Sequence, residues 1–123
     1  MALINLNKEF YTTFSIKKND TLPALALEIK TTDCLGSVIP FSLTGTSATT
    51  FSMADSCGNI KIASSPSTII DSSGGTIQYN WQTGDTDTIG RFTGEFQFYF
   101  SGGTTMTLPT IGKINIQIFN TIN

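Results

Sequence analysis

Apolar and polar residues alternate with a period of two along most of the chain, and the 3.6-residue period of an amphipathic helix is almost absent. Phe10, Thr12, Phe14 and Ile16 share one face while Tyr11, Thr13 and Ser15 share the other, which predicts a strand. Lys17-Lys18-Asn19-Asp20 reads as a polar turn, and Pro23 stands at the mouth of the next strand, where a missing N–H is tolerated. Leu25, Leu27 and Ile29 alternate with Ala26, Glu28 and Lys30. Propensity alone also allows a helix over residues 24–30, but the short length and the Thr31-Thr32 pair favour a strand. Residues 33–47 are irregular, punctuated by Gly36, Pro40 and Gly45, with a short edge piece at Val38-Ile39 and Phe41.

Further along, Thr49 to Met53 predicts a strand with Phe51 and Met53 inward, and Asp55 to Asn59 a turn. Ile60-Lys61-Ile62 and Thr68-Ile69-Ile70 add short strands. Ile77, Tyr79 and Trp81 face one way, with Thr76, Gln78, Asn80 and Gln82 opposite. Phe92, Phe96, Phe98 and Phe100 share a face, with Arg91, Thr93, Glu95, Gln97 and Tyr99 behind them. Gly94 falls on the apolar face, where its missing side chain makes room for a large neighbour such as Trp81. Thr104 to Leu108 is stopped by Pro109, and Ile114, Ile116 and Ile118 mark the last strand.

Roughly seven to nine short strands, with turn signals every ~8–12 residues, predict an all-β fold: an immunoglobulin-like antiparallel β-sandwich. Residues 9–123 form the sandwich, and residues 1–8 an N-terminal extended segment or edge strand. Ile4 and Leu6 alternate with Asn5 and Asn7. Such a segment either adds to a neighbour's sheet edge or forms an extra edge strand of its own domain. The Cys…Trp…Cys order of antibody domains is absent, because Trp81 follows both cysteines.

Composition adds one unusual feature. Charged residues are 13% of the 123, about half the ordinary share of roughly 25%. No apolar run approaches the ~20 residues of a membrane span, and nine Phe, three Tyr and one Trp exclude a disordered chain. Thr, Ser, Asn and Gly supply the polarity. There is no histidine, which removes the usual general base, Ser–His and Cys–His pairs and common metal sets. The net charge is −2 with seven scattered basic residues, so the electrostatic footprint of a nucleic-acid binder is missing. The first residues lack the basic and apolar regions of a signal peptide, and synthesis in a cytoplasm before assembly or release is the expectation.

Cys34 and Cys57 sit in turn-like contexts. Free thiols are the expected state; a disulfide between loops at one end of the sandwich is the alternative. The densest polar cluster runs from Trp81 to Gly90. Asp85 and Asp87, with Glu95, would serve as an acid/base pair only with one raised pKa and a fixed separation across a cleft. An Asp-x-Asp loop suits calcium better, though the ligand spacing of an EF-hand is missing. The favoured reading is a connecting turn whose Asp and Thr side chains bond nearby backbone, with no catalytic, cofactor or metal site. Tyr11, Tyr99 and Phe119 fall on nominally exposed faces, where aromatics pack against a partner or stack on sugars.

The stretch from Gly75 to Phe96 resembles a family of tailed-phage virion domains: the immunoglobulin-like N-terminal domain of siphophage upper baseplate proteins, also found in related fibre, neck and tail-associated proteins. The carrying pattern is a strand ending Tyr79-Asn80-Trp81, then Gly84-Asp85-Thr86-Asp87, then Gly90-Arg91-Phe92-Thr93-Gly94-Glu95-Phe96. Lys18-Asn19-Asp20-Thr21-Leu22-Pro23 and Phe51-Ser52-Met53-Ala54-Asp55 resemble two shorter family signatures upstream. The resemblance implies a non-enzymatic virion subunit that assembles with copies of itself or with other phage structural proteins, its motif residues serving as framework. Upper baseplate proteins continue into a coiled coil and receptor-binding scaffold, whereas this sequence stops, so the resemblance fits a small tail, neck, fibre or capsid-surface subunit. Host-surface glycan binding through Tyr99, Tyr11 or Trp81 is the alternative, with Trp81 placed against it by its inward strand phase.

Overall fold

The alternating residues build two facing sheets in the computed structural model, which describes residues 2–122. Eleven strands follow in chain order: β1 (Ala2–Asn5), β2 (Phe10–Lys17), β3 (Leu25–Thr32), β4 (Val38–Pro40), β5 (Thr46–Asp55), β6 (Ile60–Pro66), β7 (Thr68–Asp71), β8 (Thr76–Tyr79), β9 (Gly90–Phe100), β10 (Thr105–Leu108) and β11 (Gly112–Phe119). The smaller sheet runs β1-β3-β8-β7, with β4 also on β3. The larger runs β2-β11-β9-β5-β6, with β10 also on β9. The sandwich class expected from the sequence is present, and so is a strand rather than a helix at residues 25–32. The strand number exceeds the expected seven to nine because two strands are met end to end along one edge by two others, β3 by β8 and β4, and β9 by β11 and β10.

Two pairs are parallel: β1 on β3, and β2 on β11. In the first, Ala2–Asn5 lies along β3 as an edge strand of the smaller sheet. Ile4 lies opposite Ile29 and is 2% exposed, and Leu6 packs against the core. As an interface candidate Ile4 is therefore corrected: the core already covers it.

Between the sheets, Leu27, Ile29, Ile77 and Tyr79 meet Phe51, Phe96, Phe98, Ile114 and Ile116, all fully buried. Phe51 is the hub, with ring centroids 4.7 Å from Tyr79, 4.9 Å from Phe96 and 5.9 Å from Trp81. Gly94 makes room for this ring, not for Trp81. A Cβ there would stand 2.7 Å from Phe51, so β9 can cross the hub only without a side chain.

One end of the sandwich carries the ends of β2, β5, β8 and β11 and the starts of β3, β6 and β9. The loops of residues 18–24, 56–59 and 80–89 therefore gather there. Cys57 belongs to this end, whereas Cys34 follows β3 at the other. Both thiols are free and exposed; the disulfide alternative fails because these turns lie at opposite ends.

Candidate functional site

The sequence directs attention to residues 80–89, the connection that carries the chain from β8 in one sheet to β9 in the other. β8 ends at Tyr79, yet Trp81 keeps the inward phase, 3% exposed, with its ring 5.4 Å from Tyr79 and 5.7 Å from Phe14. Gly84, at φ 93, lets the chain turn back. The Asp85 carboxylate then accepts from the Tyr79 hydroxyl and, at 2.8 Å, from the Gln82 N–H. The Asp85 N–H donates to the Gln82 carbonyl at 3.0 Å, so one side chain closes the loop on itself and pins it to β8. Burial, reinforced by the Asp85 acceptor, pushes the Tyr79 hydroxyl up to about 12.

Thr86 is 2% exposed, and its hydroxyl donates to the Asp20 carbonyl at 2.8 Å. Its own carbonyl accepts from the Asn19 N–H at 2.9 Å. Two signatures separate in sequence, Lys18 to Pro23 and Gly84 to Asp87, are thus locked together by one side-chain and one backbone hydrogen bond of Thr86. Asp87 pairs with Lys61 at 2.5 Å and accepts from the Thr88 hydroxyl at 2.9 Å. Lys61 first, then Thr88, holds its carboxyl below the usual 3.8.

This arrangement commits the loop's polar groups to its own conformation. Asp85 and Asp87 serve different partners, one turned to Tyr79 and the other to Lys61. Glu95 stands apart on the outer face of β9, opposite Ser52. Among the described residues no group of three or more His, Cys, Asp or Glu side chains converges to hold a metal. Of the remaining motif residues, Phe92 and Phe96 are buried, Gly90 opens β9 at φ 144, and Pro23 walls two shallow grooves beside β2. Asp33, Asp55 and Asp71 cap turns in the same way, each accepting from backbone N–H groups two to four residues on.

The aromatic candidates separate. Tyr11 is 63% exposed on the outer face of β2 and Phe119 is 46% exposed at the end of β11. Tyr99 is half-buried, its hydroxyl donating to Gln97. Trp81 is enclosed and has no face to offer a sugar. Sequence reasoning missed an apolar row at the loop-bearing end. Leu22 and Phe119 line one shallow groove, Phe119 and Ile89 the next, Ile89 and Ile60 a third. The signal was Ile89, an apolar residue inside an otherwise polar turn.

No helix among the described residues is long and apolar enough to cross a membrane. No family model matches the chain, and no curated protein matches it by sequence. Among solved structures, the N-terminal domain of phage TP901-1 ORF48 superposes with a TM-score of 0.63 at 13% identity, over 95% of this chain and 94% of that one. The likeness is one of fold, and it runs almost from end to end of both chains.

Proposed function

We propose that the protein is a non-enzymatic structural component of a bacteriophage particle, an assembly and attachment module of a tail, baseplate, neck, fibre or capsid surface. The observation that carries this reading is the end-to-end likeness to a phage protein domain, reached independently of the motif resemblance. The internal commitment of Asp85, Thr86 and Asp87 supports it, since those residues act as framework. So does the outer face of the larger sheet, where the hydroxyls and amides of Thr13, Ser15, Asn115, Gln117 and Thr93 lie among the charges of Lys17, Arg91, Glu95 and Lys113. Its uncharged stretches are covered at little desolvation cost compared with charged ones. Other phage structural proteins or further copies are the partners, and the virion is the location.

Quantitative mass spectrometry of particles purified on a density gradient tests this. The protein is expected at many copies per particle, at a fixed ratio to the major structural proteins. Its absence from purified particles that retain those proteins would overturn the reading.

A further inference from the structure

Sheet edges are exposed rows of backbone donors and acceptors, and natural proteins blunt them with short strands, bulges, proline or charge. Three of the four outer strands here follow that rule. β1 and β7 have four residues each, β7 with a register shift against β8. β6 has two register shifts against β5, a positive φ at Ser64 and Pro66 at its end. β2 is the exception: eight residues without proline, glycine or register shift.

Its backbone polarity is directional. At the two ends of the β2–β11 ladder, the Phe10 N–H donates to Ile111 and the Lys18 N–H to Phe119. Even-numbered residues therefore turn their backbone groups to β11, and Tyr11, Thr13 and Ser15 turn theirs to the free edge, while the Lys17 carbonyl accepts the Asp20 N–H of the next turn at 3.1 Å. Beside that edge is an opening of about 410 Å³ between the sheets, lined by Thr12, Phe14 and Pro23 to Ala26, because β1 covers β3 only from Leu27 onward. Phe14, an inward residue of β2, is for this reason only half-buried.

We infer that the β2 edge pairs with the β2 edge of a second copy, antiparallel and centred on Thr13. Side-chain parity and charge select this register. Residues opposite each other in an antiparallel pair share a face, so odd must meet odd. With Thr13 opposite its own copy, Tyr11 meets Ser15, Phe10 meets Ile16, Thr12 meets Phe14, and Glu9 meets Lys17. Both ends of the junction then carry an opposite-charge pair. Glu9 takes part in no ion pair among the described residues, and Lys17 only reaches the Asn120 carbonyl at 3.4 Å. Shifting the register by two in one direction sets Phe10 against Lys18, and in the other Lys8 against Ile16. Charge complementarity thus commits the edge to a second copy in one register. The junction is isologous, closes on itself as a two-fold dimer, and removes the unprotected edge. It does not depend on a phage role for the protein.

Sedimentation velocity on the full chain, from about 1 to about 100 μM to bracket weak dimers, tests the pairing with four proteins: the natural chain, Glu9→Lys, Lys17→Glu and the double exchange Glu9→Lys/Lys17→Glu. The natural chain is expected to dimerise. Each single substitution sets two like pairs at the junction and should weaken the dimer about tenfold or more, and the double exchange should restore it. Circular dichroism confirms that each variant is folded, since both positions are exposed. A chain that stays monomeric throughout, a dimer indifferent to the single substitutions, or a double exchange that fails to restore it overturns the inference.

Discussion

The β8–β9 connection and the free edge of β2 are both polar, and they are polar in opposite ways. In the connection the polarity belongs to side chains, and the structure uses it up: Asp85 on Tyr79 and Gln82, Thr86 on Asp20, Asp87 on Lys61. At the β2 edge the polarity belongs to the backbone of Tyr11, Thr13 and Ser15, and no strand among the described residues pairs with it. Dense carboxylates therefore mark rigidity here, and the unremarkable strand marks the place where something can be added.

The largest effect that tests this contrast comes from Trp81→Ala. Trp81 anchors the connection to the rings of Phe14, Phe51 and Tyr79, and truncating it should cost about 3–5 kcal/mol, read from urea denaturation. A loss under about 1 kcal/mol would show that the connection is not anchored by its aromatic root.

Next in size is a comparison inside β2. Thr12 and Thr13 are adjacent and chemically identical, but the Thr12 N–H faces β11 and the Thr13 N–H faces the open edge. Thr12→Pro removes a ladder bond and drives a ring into the neighbouring strand, for a loss of about 3 kcal/mol. Thr13→Pro removes only an edge donor and should cost less than about 1 kcal/mol while abolishing the dimer. Equal losses would mean that the backbone directions assigned to β2 are wrong.

What the sequence made legible follows the same division. The inward faces of β9 and β11 were readable because alternation is local, and Asp85 could be read as a turn residue because Asp-Thr-Asp between glycines has few other uses. The neighbour of Gly94, the burial of Ile4 and the separation of Cys34 from Cys57 were not readable. Each depends on which strand lies beside which, and pairing between Ile4 and Ile29 or between Met53 and Gly94 leaves no mark in the composition of either segment. The Thr86–Asp20 lock was half visible, since both segments stood out, but the Thr86 hydroxyl donates to a main-chain carbonyl, an acceptor every residue type offers and so one without a sequence signal.

Tyr79→Phe is a milder probe of the connection. It leaves the ring on Phe51 and removes only the hydroxyl that Asp85 holds, for an expected loss of about 1–2 kcal/mol at neutral pH. The hydroxyl also gives this region an alkaline signature. Folded Tyr79 keeps its proton to about 12 against an ordinary 10.0, so the stability it lends is complete below pH 10.0 and is lost as pH rises towards about 12. The natural chain should show a steeper loss of stability over that window than Tyr79→Phe. Parallel curves would mean that the hydroxyl does not tie the loop to β8.

The smallest effect is expected at Asp87, where the same loop meets solvent. Its carboxyl is held below 3.8 by Lys61 and then Thr88, while Asp55 and Asp71 are lowered mainly by backbone N–H groups of their own turns. A depressed carboxyl lends stability that is present above its ordinary value and lost as pH falls through the folded one. Asp87→Asn should therefore lower stability slightly at neutral pH, less so in high salt, with a deficit that shrinks as pH falls below 3.8. Asp55→Asn should keep its deficit in high salt, because hydrogen bonds within a turn are screened far less than an exposed pair with Lys61. If both deficits vanish together with added salt, the turn at Asp55 is held by charge and not by its N–H groups, and the distinction between internally bonded loops and solvent-facing polarity fails at this rim.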